Sequence, residues 1–164
     1  MESIKSTFYQ IKNSKWYLLT LAAIAFFIGY FLFNYILEIE LKISTPTNLS
    51  SVYFRVFQYA FIEQVLLGSV AMIFFLISGK YYLPIFTYIG FSVKYFYFIS
   101  DIRLIAQQYT PILSLLPVIF YILSGAILVF GLRYGKKAGS LAILINILFL
   151  ATYNYVILAI DQYL

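Results

Sequence analysis

Five stretches of apolar residues, each about the length of a bilayer crossing, alternate with short polar breaks along this 164-residue chain. A helix rising 1.5 Å per residue needs roughly 20 mostly apolar residues to cross ~30 Å of hydrocarbon. The pattern predicts spans over about 16–37, 56–78, 82–100, 110–132 and 140–160. The first follows Lys15-Trp16-Tyr17 and closes at Glu38. The second contains Gln58, Glu63 and Gln64, and the third, the most polar of the five, carries Lys94 among tyrosines. The fourth opens at Thr110-Pro111, a hydroxyl N-cap followed by proline at the first helical position. Pro117 within it removes a backbone donor and should bend it. The fifth holds Asn146 and Asn154 and ends at Asp161. The expected fold is all-α: a polytopic transmembrane helical bundle forming one integral membrane domain over residues 1–164.

The polar breaks are short. Residues 1–15 place Ile4, Phe8 and Ile11 on one helical face with Lys5, Lys12 and Lys15 nearby, the pattern of an amphipathic segment lying in the inner interface. The one sizeable connection runs from Glu38 to Arg55. Its start alternates Glu-Ile-Glu-Leu-Lys-Ile, as a short strand or an amphipathic collar would. It also contains Asn48-Leu49-Ser50, an N-glycosylation sequon. A tight hairpin is expected between the second and third spans, turning about Ser78-Gly79-Lys80.

Composition narrows the function classes. At 63% hydrophobic and 10% charged, the chain is neither a water-soluble globule nor a disordered segment. The absence of Cys and His removes disulfides, thiolate chemistry, His-held haem, the common zinc and copper sites, and any imidazole base. No catalytic set, metal site or cofactor is therefore expected. The net charge of +5 is a topology signal, because the basic residues stand dispersed at span ends, and nothing favours nucleic acid as a partner. Lys5, Lys12, Lys15, Lys80, Arg133, Lys136 and Lys137 fall on one side of a five-span chain, against Lys42, Arg55 and Arg103 on the other. The positive-inside rule then puts the N-terminus in the cytoplasm and the C-terminus outside. Aromatic residues fit interfacial belts and core packing, with Tyr17, Tyr35, Tyr53, Tyr81, Tyr82, Tyr109, Tyr134 and Tyr163 near span ends.

Ionisable residues inside a membrane are costly and mark function by default. Glu63 and Lys94 qualify. In an antiparallel hairpin, residues at equal depth have a constant index sum, which sets Glu63 level with Lys94 and Arg55 level with Asp101. Two ion pairs are expected, one intramembrane and one at the outer interface. The inner pair either fixes hairpin register or serves as a proton or cation relay together with Gln58 and Gln64.

Two strings, IKNSKWYLLTLAAIAFFIGYFL and LLPVIFYILSGAILVFGLRYG, resemble the stage II sporulation protein M family of small multi-span proteins. That family's His-Gly and Glu near the second string, and its Asn-Gly in the middle, do not occur here, so no functional residue is carried over. The resemblance implies a non-enzymatic membrane partner in a larger assembly. Two functions follow as expectations. The first is an accessory or scaffold subunit of a respiratory or oxidase-type, envelope or permease complex, in contact with lipids and other integral subunits. The second is a small transporter or channel component using Glu63 and Lys94.

Overall fold

The computed structural model describes residues 14–43, 49–105 and 111–161, with side chains over 14–38, 57–101 and 115–153. Five helices follow one another: α1 (Lys15–Ile43), α2 (Leu49–Ser78), α3 (Pro84–Ile105), α4 (Pro111–Arg133) and α5 (Lys136–Asp161). Among the described residues there is no strand. Helix α1 begins where the Ser14 hydroxyl accepts a hydrogen bond from the Tyr17 N–H at 3.2 Å, satisfying one orphan donor of the first turn. It then runs through Glu-Ile-Glu-Leu-Lys-Ile to Ile43, so the expected strand or collar is helix instead. Glu, Leu and Lys are good helix formers, and extending an existing helix needs no new nucleus. Residues 1–13 and the sequon residue Asn48 lie outside the described residues.

Helix α2 ends in a compact stop. The Ser78 hydroxyl donates to the Phe74 carbonyl at 2.6 Å and accepts from the Lys80 N–H at 3.0 Å. Gly79 then turns the chain with φ 69°, a conformation open to glycine at little cost.

Four segments are long and apolar enough to cross a membrane: Lys15–Glu38, Phe57–Ser78, Leu115–Arg133 and Lys136–Tyr153. The fold is that of a multi-pass membrane protein, and the sorting of side chains agrees. On α2 the buried stripe is Ala60, Glu63, Gln64, Leu67, Gly68, Ala71, Phe74 and Ser78, at the three- and four-residue spacing of one helix face. The exposed face carries Phe57, Phe61, Ile73, Leu76 and Ile77. The inward face carries most of the small and polar residues of this helix beside Leu67 and Phe74, and the outward face is dominated by large apolar ones, as expected where lipid is the solvent.

The helices do not stack in chain order. Helix α3 packs most extensively on α1 and α4, α4 packs on α5, and α5 packs on α2. Contacts of α2 with α3 and with α1 are slighter, so the tight α2–α3 hairpin expected from the sequence is opened out. The ring runs α1, α3, α4, α5, α2 and back to α1. Helix α3, too polar to be counted among the four apolar spans, is shielded by this arrangement: Thr87, Tyr88, Gly90, Phe91, Ser92 and Ser100 are all buried.

The α1–α3 contact is made by glycines. A Cβ on Gly29 would strike the Thr87 carbonyl, and one on Gly90 would strike the Phe26 carbonyl. A helical carbonyl points about one turn toward the C-terminus, so both contacts mark a single crossing, Gly29 against Gly90. Beyond it Phe33 meets Phe91, Tyr95 and Phe98, so contacts advance the same way on both helices and the pair is parallel. By contrast, Gly68 lies against Ile143 and Gly139 against Met72, an antiparallel α2–α5 pair.

Candidate functional site

The chemistry-bearing side chains gather inside the ring, near mid-depth. Ser124 stands midway between Leu115 and Arg133, and Gln64 and Asn146 stand near the middles of α2 and α5. The Tyr88 hydroxyl donates to Gln64 Oε1 at 3.2 Å. Asn146 Nδ2 donates to the Ser124 backbone carbonyl at 2.9 Å. One buried hydrogen bond thus joins α2 to α3 and another joins α4 to α5, and all four residues have no exposed surface. Gln64 Nε2, Asn146 Oδ1, Ser124 Oγ and Thr87 Oγ1 are buried and make no hydrogen bond within the described protein.

Glu63 is 5% exposed and shares the buried face of α2 with Gln64. Lys94 is half-buried and turned toward α1, its Nζ 5.2 Å from the centre of the Tyr30 ring, a cation–π contact. Among the described residues no ion pair joins Lys94 to Glu63. The reason lies in the packing: α3 lies closest to α1 and α4, so a long side chain on its α1 face meets the Tyr30 ring. It is Gln64 that reaches α3 from α2, and its partner is Tyr88. The expected outer pair is not placed. Asp101 is exposed near the end of α3, and the Arg55 side chain lies outside the described residues.

Around this layer the interior is aromatic. The Phe91 and Tyr121 rings are 4.8 Å apart, and Phe120 stacks on Tyr153 at 4.0 Å. A shallow apolar groove of about 430 Å³ on the outer surface of α4 and α5 is lined by Phe120, Ile145, Leu148, Phe149, Thr152 and Tyr153. No cluster of three or more metal-binding acids, His or Cys occurs among the described residues.

Gln64 and Asn146 stood out in the sequence as amides inside spans. Tyr88 did not, being one of 17 tyrosines. Ser124 takes part through its backbone carbonyl, which leaves no mark in a sequence. No protein-family model, no curated protein and no solved structure matches the chain.

Proposed function

We propose that this chain is a non-catalytic accessory or scaffold subunit of a larger membrane complex, with the amino-terminal end of α1 on the cytoplasmic side of the cell membrane. The observation that carries this reading is the pair of buried interhelical hydrogen bonds, Tyr88 to Gln64 and Asn146 to the Ser124 carbonyl. The most buried amides of the interior, Gln64 and Asn146, are each engaged in tying one helix to its neighbour. Polar contacts between helices specify geometry in a medium where apolar surface alone does not. What remains for the surroundings is a lateral surface rich in large apolar groups, such as Phe31, Phe130 and Leu148. Lipids and other integral subunits are the partners such a surface accepts. The test is purification from native membranes in mild detergent, with mass spectrometry of what accompanies the chain. Stoichiometric recovery with other integral subunits is expected; recovery of the chain alone defeats the proposal.

A second reading rests on Glu63, an acid buried near mid-depth next to Gln64. Intramembrane acids mark ion and proton paths in many carriers. On this reading the protein is a small transporter or channel component. Proton or cation flux in reconstituted vesicles, abolished by Glu63→Gln with the fold intact, supports it. Flux no greater than that of empty vesicles removes it.

A further inference from the structure

We infer that the basic end of the bundle, where the α2–α3 and α4–α5 turns lie side by side, holds the headgroup of an anionic phospholipid on Lys80, Arg133, Lys136 and Lys137. The inference is independent of either functional reading.

Packing brings the two turns together. Gly125 lies against Tyr88 and Tyr121 against Phe91, so α3 and α4 run antiparallel. Following α4 on from Gly125 to Arg133, and α3 back from Tyr88 by as many residues, reaches Lys80. Gly68 against Ile143 and Gly139 against Met72 set the start of α5 beside the last turn of α2. The turns thus adjoin through both pairs of helices. Arg133, Lys136 and Lys137 are exposed and Lys80 is half-buried. Among the described residues no acidic side chain stands at this end to neutralise them, since Glu38 and Asp101 lie at the other and Glu63 near mid-depth.

Depth selects the partner. Helix α4, 23 residues from Pro111 to Arg133, is about 34 Å long, between the ~30 Å of hydrocarbon and the ~40–45 Å of a whole bilayer. Its end therefore falls in the headgroup layer, at the level of lipid phosphates. Tyr81, Tyr82 and Tyr134, all exposed, mark the same level, where phenols are at home. Only Tyr134 and Gly135 separate α4 from α5, too few residues to lift the charges toward a soluble polyanion. The exposed Phe130 ring meets that of Tyr134 at 5.0 Å, one turn toward the bilayer centre, and offers a wall to the acyl chain below the headgroup. Each lysine or arginine at such a surface strengthens anionic binding about fivefold.

The full-length chain in vesicles of dibrominated and ordinary phospholipids provides the test. Trp16→Phe removes the native indole, and Phe130→Trp places a fluorescent reporter beneath the basic turn. Quenching at that indole is expected to show phosphatidylglycerol binding at least about fivefold more tightly than phosphatidylcholine. Combining Arg133→Gln, Lys136→Gln and Lys137→Gln, all at exposed positions, should bring the ratio close to one with the helical circular dichroism unchanged. In the Trp16→Phe background, Tyr35→Trp, one turn before Glu38 at the opposite end, should show no such preference. Equal binding of the two lipids at position 130 overturns the inference without recourse to the glutamine variants. So does a preference that those variants retain or that position 35 shares. Loss of the preference on adding soluble glycerol phosphate at constant ionic strength also overturns it, by assigning the cations to a soluble anion.

Discussion

Tyr88 illustrates how much a single hydroxyl does here. Its ring is fully enclosed, and its hydroxyl donates to the Gln64 amide of α2. Tyr88→Phe keeps the ring and strands Gln64 Oε1, so a loss of about 1 kcal/mol is expected, the usual scale for an interhelical bond in lipid. Reversible unfolding in mixed detergent and lipid micelles measures it, and an unchanged midpoint would remove the bond from the account. At this scale the sequence was half legible. Gln64 and Asn146 announce themselves because amides are rare and costly in hydrocarbon. The partner of Lys94 could not be read in the same way. Opposite charge and equal depth nominated Glu63, whereas the Tyr30 ring is what the lysine meets. Depth along a helix follows from residue number, but which neighbour a face meets depends on how the helices pack.

At the scale of elements, α3 is the most informative. Its Thr, Tyr, Ser and Lys residues make a poor lipid-facing helix, and α1, α2 and α4 screen it from lipid. Backbone-to-backbone approach at the Gly29–Gly90 crossing makes the α1–α3 contact close. Gly90→Ala inserts a methyl group where the Phe26 carbonyl lies, and neither backbone can yield without separating the helices. A destabilisation of about 1–3 kcal/mol is expected, read by unfolding in micelles. A smaller effect than that of Leu123→Ala, which trims an exposed side chain of α4, would contradict the crossing. A double-mutant cycle tests the assignment of Lys94 to α1. Lys94→Met and Tyr30→Leu should couple by about 0.5–2 kcal/mol, whereas Lys94→Met and Glu63→Gln should be additive. The reverse pattern would restore the ion pair. Neither Gly29 nor Gly90 was diagnostic in the sequence, because their significance lies in facing each other from helices that are not neighbours in the chain.

Over the whole molecule, charge is sorted by end. With α1 and α3 parallel and α5 antiparallel to α2, Lys15, Lys80, Arg133, Lys136 and Lys137 gather at one end of the bundle. Glu38 and Asp101 stand at the other. The native chain has no cysteine, so single cysteines report topology directly. Tyr81→Cys and Tyr134→Cys, both at exposed positions, should react with a membrane-impermeant maleimide from the same side, and Asp101→Cys from the opposite side. Labelling of the first two from different sides would break the five-helix topology. The five helical segments and the spacing of the basic residues between them were legible in the sequence, because crossing hydrocarbon imposes length, apolarity and internally bonded backbone on each segment independently. The bounds were less so, since α1 runs on to Ile43, α2 starts at Leu49, and four of the five expected spans are long and apolar enough to cross. Neighbour relations were not. Four of the five helices are apolar on most of their surface, so on these hydrophobicity does not distinguish an inner face. The choice fell to close-fitting glycines and to the interhelical hydrogen bonds of two amides and one phenol, whose partners are brought together only in three dimensions.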